Sequence, residues 1–125
     1  GIPVMSHGYV LVRSDSLRPG PSLFRYISEV DSTLDQYGAK ILVQSFPAAV
    51  PVGEWSGFIT LLQFPSLDEA QRWYDSPEYQ ALRDLRTASS IATDVLVGGV
   101  PDGHRSRHLL ALLDASPGAA PAAPL

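Results

Sequence analysis

Aromatic and β-branched residues crowd Tyr9–Ser14, apolar side chains recur from Leu23 to Tyr37, and Phe58–Phe64 is apolar almost throughout. The first pattern predicts a strand ending at polar Asp15 and Ser16. After the breakers Pro19-Gly20-Pro21, the three-and-four spacing of Leu23, Ile27, Val30, Leu34 and Tyr37 predicts a helix with one inward face. Gly38 follows as its left-handed stop. Lys40–Phe46 reads as a second strand, with Ile41, Val43 and Ser45 on one face and Leu42, Gln44 and Phe46 on the other. Pro47–Gly57 is an irregular connection whose middle, Ala49–Val52, can pair at a sheet edge. The third strand, Phe58–Phe64, is apolar enough to be covered on both faces. Ser66 and Glu69 then form a capping box that opens a helix through Leu67, Ala70 and Trp73. Asp75-Ser76-Pro77 interrupts it, with Ser76 as cap and Pro77 as first residue of a further helix reaching Ala92. Asp94–Val100 is the last strand.

This β-α-β-β-α-β order predicts an α+β fold, in which two crossovers lay helices on one face of a four-stranded antiparallel sheet. The opposite face would be bare, yet the first and third strands carry apolar side chains on both sides. The expected cover is a second sheet from an identical chain, giving an isologous homodimer. A standard interface of about 800 Å² per partner would suffice.

A chain of 125 residues can bury one core. We place the domain at 9–100, between an extension at 1–8 and a tail at 101–125. In the tail, Leu109, Leu110, Leu112 and Leu113 predict a short docked helix, and the Ala/Pro-rich end at 118–124 predicts disorder. Met5 is one candidate for the natural first residue. With no apolar run of membrane-spanning length and no signal-peptide pattern, the expected location is cytoplasmic, with no membrane partner. The absence of cysteine excludes disulfides, thiolate nucleophiles and Cys-ligated metal centres. A net charge of −4 with no basic stripe argues against nucleic acid. Arginine is used almost to the exclusion of lysine, Lys40 standing alone, which points to a GC-rich bacterial genome.

The stretch Phe64–Arg86 carries the most specific pattern: Phe64-Pro65-Ser66, Ala70, Trp73-Tyr74, Ser76-Pro77-Glu78-Tyr79-Gln80 and Arg86. It resembles the signature of the DUF1330 family, a branch of the dimeric α+β barrel superfamily with a ferredoxin-like fold. Tyr37-Gly38, Gly53-Glu54-Trp55 and Asp94-Val95-Leu96-Val97 agree with it, and the resemblance spans Tyr9–Val100. It implies the fold and the dimer but no particular reaction. Superfamily relatives include cofactor-free monooxygenases, isomerases, cyclases and haem-binding enzymes. The chain departs from the pattern at Gln44–Ala49, where an arginine and a glycine-rich stretch are usual, and at Arg18–Pro21.

The natural small-molecule site of such a fold is the cleft between sheet and helices. Tyr79, Leu82, Arg86 and Ser89 share one helical face, so a phenol and a guanidinium can enter one space. Arg86, Tyr79 and Arg13 are the candidate catalytic residues, Arg86 able to grip a carboxylate or enolate bidentately. Trp55, Tyr74, Tyr26 and Ser45 are candidates for substrate binding. All but Ser45 have a plainer reading: Tyr79, Trp55 and Tyr74 as core or contact aromatics, Arg86 as half of an ion pair at the dimer seam, Arg13 at the edge of the dimer contact, Tyr26 on the rim. Glu54 is a candidate base that reads more simply as a solvated charge. His104 and His108 have the spacing of two metal ligands on a helix but no third partner, so no metal site is expected. With no histidine in the core, no phosphate loop and no dinucleotide fingerprint, no cofactor is expected either. The expectation is a small cofactor-independent enzyme or biosynthetic accessory protein that binds a hydrophobic or aromatic metabolite. The alternative is a non-catalytic dimeric binding or regulatory module.

Overall fold

The computed structural model describes residues 6–115. Strands β1 (Gly8–Asp15), β2 (Lys40–Ser45), β3 (Phe58–Phe64) and β4 (Ile91–Gly98) form one antiparallel sheet in the order β2-β3-β1-β4. Helices α1 (Pro21–Gln36), α2 (Leu67–Asp75) and α3 (Pro77–Thr87) are the crossovers, and α4 (Leu109–Ala115) lies in the tail. The ferredoxin-like α+β reading holds, with the second crossover split in two at Ser76. That residue ends α2 and caps α3, its hydroxyl accepting the Tyr79 N–H at 3.2 Å and donating to the Trp73 carbonyl at 2.7 Å.

The core fills the space between this sheet and its helices. Val10, Val12, Leu62 and Phe64 come from the strands, Val30 and Leu34 from α1, and Trp73, Tyr79 and Leu82 from α2 and α3. Trp73 is its centre, with the Tyr79 ring 3.8 Å away between centroids and Phe64 at 5.3 Å. The indole N–H donates to Thr33 Oγ1 at 3.0 Å, which ties α2 to α1.

Four expectations are corrected. The last helix ends at Thr87 rather than Ala92, and β4 begins at Ile91 rather than Asp94. Two serines end it: Ser89 and Ser90 return their hydroxyls to the carbonyls of Leu85 and Arg86, at 2.9 and 3.0 Å, and so satisfy acceptors of the last turn. On α1 the inward stripe is rotated, because the helix packs on α3 as well as facing the sheet. Ile27 is 57% exposed, while Tyr26 and Thr33 take inward positions. In β2 the alternation is broken by a bulge between Ile41 and Val43. Gln44 thereby comes opposite Thr60, on the same face as Ile41, and Ser45 comes opposite Ile59 on the other face.

The face away from the helices carries Tyr9, Leu11 and Arg13 of β1, Ile59 and Leu61 of β3, and Val95 and Val97 of β4. Val95 and Val97 are 44% and 49% exposed. The tail leucines do form a helix, with Leu110, Leu112 and Leu113 largely exposed. The Ala/Pro-rich end lies outside the described residues, as does most of the N-terminal extension.

Candidate functional site

Arg86 reaches the interior because it lies two turns after Tyr79 on the inward face of α3, where a guanidinium needs a counter-charge. Asp94 supplies it. Its register opposite Val12 puts it on the helix side of β4, and the two side chains form a buried ion pair through Arg86 Nη2 and Asp94 Oδ2. Arg86 is 4% exposed. Nη2 also donates to the Tyr79 hydroxyl at 3.3 Å, and that oxygen lies 3.0 Å from the hydroxyl of Tyr26. From the opposite side Tyr74 donates its phenol proton to Asp94 Oδ2 at 2.7 Å. A continuous chain thus runs Tyr26–Tyr79–Arg86–Asp94–Tyr74.

Its members are electrostatically distinct. Burial opposes the charge of Arg86, but hydrogen bonding to Asp94 and the phenol oxygens of Tyr79 and Tyr26 outweigh it and hold the guanidinium cationic, above even its ordinary range. Burial, reinforced by Tyr79, holds the Tyr26 phenol well above its ordinary value, so Tyr26 is a neutral proton donor. Burial and the neighbouring Asp94 carboxylate raise Tyr74 as well.

Beside this chain a cleft of about 370 Å³ opens between α1 and the sheet. Leu17, Leu23, Ile27 and Phe58 form its apolar walls, and Ser14, Gln44, Thr60, Tyr26 and Arg86 are its polar groups. Those same five polar residues also line an inner recess of about 50 Å³ floored by Trp73 and Tyr79. Nε and Nη1 of Arg86 and Oδ1 of Asp94 are buried without a hydrogen-bond partner among the described residues. Such groups call for an explanation, since native side-chain polar atoms are almost always satisfied.

Of the seven residues singled out from sequence, the cleft and its inner recess therefore gather Arg86 and Tyr26, with Tyr79 at the recess alone. Tyr74 touches the network through Asp94 from the far side and does not line the cleft. Arg13, Ser45 and Trp55 are elsewhere. Arg13 and Ser45 sit on the sheet face turned away from the helices. Arg13 donates to the Ser56 carbonyl and hydroxyl, each at 3.3 Å, and lines an open groove with Glu54 and Trp55. The Trp55 N–H is used within its own loop, on the Gly57 carbonyl at 3.0 Å. The plainer reading of Arg86 as half of an ion pair is met within one chain, by Asp94. Sequence reasoning missed Asp94, Gln44, Thr60 and Ser14 as site residues. Asp94 had a usable signal, a lone carboxylate in an apolar strand shortly after an inward arginine. Gln44 had none, because the bulge that turns it inward leaves no mark in the pattern.

Residues 7–100 match a family described as a domain of unknown function, DUF1330. The chain belongs to the DUF1330 family. No curated protein matches it significantly. Solved structures similar to this DUF1330 chain share the fold at low identity. One is a methylated protein of unknown function from Rhodopseudomonas palustris, 13% identical with a TM-score of 0.61, the match covering 82% of this chain and 87% of that one. Another is a dabb family protein with a ferredoxin-like fold from Mesorhizobium loti, 16% identical, TM-score 0.53, covering 79% and 100%. A third is a dimeric ferredoxin-like protein of unknown function from Thermobifida fusca, 9% identical, TM-score 0.50, covering 75% and 92%. Among the described residues no helix is long and apolar enough to cross a membrane, and no group of three or more His, Asp or Glu side chains is placed to hold a metal ion.

Proposed function

We propose that this DUF1330 chain is a bacterial cytoplasmic homodimer that binds a small, largely apolar metabolite in the cleft between α1 and the sheet and acts on it without a cofactor. The observation that carries the reading is Arg86. It is a buried, permanently charged side chain with two uncommitted nitrogens, Nε and Nη1, and it borders a pocket whose other walls are mostly apolar. A cation and a neutral phenol side by side are suited to stabilising negative charge that develops on a ligand oxygen, as in the enolisation of a ketone. Tyr26 is suited to donate to that oxygen and not to remove a proton, because its phenol is held neutral. The dimer is supported by the apolar, uncovered sheet face and by the dimeric description of the Thermobifida fusca structure.

A second reading, a binding or regulatory module without catalysis, is favoured by one observation. The carboxylate of the network, Asp94, is engaged by both Arg86 and Tyr74, and among the described residues no carboxylate lines the cleft to serve as general base.

Native mass spectrometry of gently purified full-length protein tests both parts together. The expected spectrum is a dimer of the 13.5 kDa chain carrying a small extra mass. A monomer would overturn the sheet pairing. A dimer that neither retains nor takes up any member of an apolar ketone and phenol library would overturn the cleft as a ligand site.

A further inference from the structure

We infer that the ligand meets Arg86 with a lone oxygen, that of a ketone, enol or phenol, and not with a carboxylate. This rests on the cleft reading above and follows from which guanidinium hydrogens are already committed. A guanidinium grips a carboxylate with a fork of two parallel N–H bonds, and both of its forks, Nε with Nη2 and Nη1 with Nη2, include Nη2. Here Nη2 is committed to Asp94 Oδ2 and to the Tyr79 hydroxyl. The uncommitted nitrogens are Nε and Nη1. Their N–H bonds diverge, so no single carboxylate can bridge them, and the bidentate grip expected from sequence is closed off.

Charge leads to the same conclusion. Asp94 already neutralises Arg86 and has its Oδ1 buried without a partner. A ligand carboxylate would place a second buried anion beside it, against a single cation. A ketone, enol or phenol oxygen adds no full charge in its resting state.

The tyrosines complete the fit. Since Nη2 donates to the Tyr79 oxygen, Tyr79 can pass its own proton to Tyr26 across 3.0 Å, which leaves the Tyr26 O–H free for the cleft. Tyr26 and Arg86 both line the cleft and the inner recess, so one ligand oxygen can receive a neutral and a charged donor together. The recess, at about 50 Å³, is too small for a ring but holds an oxygen and the carbon bearing it. The ring or chain of the ligand remains in the outer cleft against Leu23, Ile27 and Phe58.

The test compares 2-naphthol with 2-naphthoate, the same ring system with different oxygen groups, by titration calorimetry and by amide and arginine Nε–H nuclear magnetic resonance shifts on the full-length protein at neutral pH. Naphthol is expected to bind at least about ten-fold more tightly, a step of roughly 1.4 kcal/mol, and to shift the Arg86 Nε–H and the cleft amides. Tyr26→Phe is expected to weaken naphthol several-fold and leave naphthoate unchanged. Naphthoate binding as tightly as naphthol, with the same cleft shifts, would overturn the lone-oxygen inference while the cleft stood as a ligand site. Shifts in the cleft from neither compound would overturn both.

Discussion

Asp94 on β4 neutralises Arg86 on α3 beneath the helix layer, with side-chain exposures of only 11% and 5%. Removing one member of such a pair leaves the other charged and desolvated. Asp94→Asn is therefore expected to cost about 3–5 kcal/mol of stability, read as a lower urea midpoint with an unchanged slope. The double replacement Arg86→Met with Asp94→Leu is expected to recover most of that loss, since an apolar pair of similar size carries no desolvation cost. A double variant as unstable as Asp94→Asn would show that the pair organises the fold beyond its own charges.

Tyr26 gives the protein an alkaline limit. Its phenol stays protonated in the fold, while in the unfolded chain it ionises near a pH of about 10. The unfolded state thus loses a proton that the native state keeps, and stability must fall as pH rises above that value. Below it the group contributes no slope. Stability measured from pH 8 to 11 is expected to decline less steeply in Tyr26→Phe than in the natural chain. Parallel slopes would mean that Tyr26 ionises freely in the fold.

Thr33 is the sole hydrogen-bond partner of the Trp73 indole among the described residues, and its hydroxyl also donates to the Val30 carbonyl at 2.7 Å. Thr33→Val keeps the shape and strands a buried N–H, which costs about 1–3 kcal/mol. Thr33→Ser is expected to restore most of it. A Thr33→Val variant as stable as the natural chain would show that the indole N–H does not depend on this hydroxyl.

Gly8 starts β1 where α2 begins overhead. A β-carbon there would stand 2.5 Å from both the Leu67 Cα and the Ser66 carbonyl oxygen, backbone atoms that cannot swing aside. Gly8→Ala is expected to cost about 1–3 kcal/mol, whereas Gly20→Ala, with nothing within 4 Å and an extended backbone, is expected to be nearly neutral. Thermal unfolding of the two variants side by side decides the matter.

The elements were legible because their signals are local. Ser66 accepts the Glu69 N–H at 3.1 Å, the serine half of the expected capping box, while the Glu69 carboxylate accepts from Arg72 at 2.7 Å instead, and Ser76-Pro77 restarts the helix where the pattern places it. The site was legible where it sits on one helix. Tyr79 and Arg86 share a face of α3 by spacing alone, and both are buried. It failed where position depends on neighbours across the sheet. Arg13 and Ser45 are cleft candidates by residue type, but strand register, which no local signal sets, turns both to the other side. Trp55 failed for a related reason, since its loop contributes to a different groove. Tyr26 reads equally as a site or a rim residue, since it lies off the apolar stripe of its helix, and packing on α3 turns the phenol inward.

The bulge in β2 also bears on how this pocket can diversify. A single extra residue near Leu42 decides whether the edge strand offers the ligand Gln44 or the neighbours on either side of it. Shortening the strand by one position there would exchange the amide for a different side chain while the interior strands β1 and β3 kept their pairing. The edge strand works as a selector dial for the polarity of one wall, adjustable by a single codon insertion or deletion without rebuilding the core.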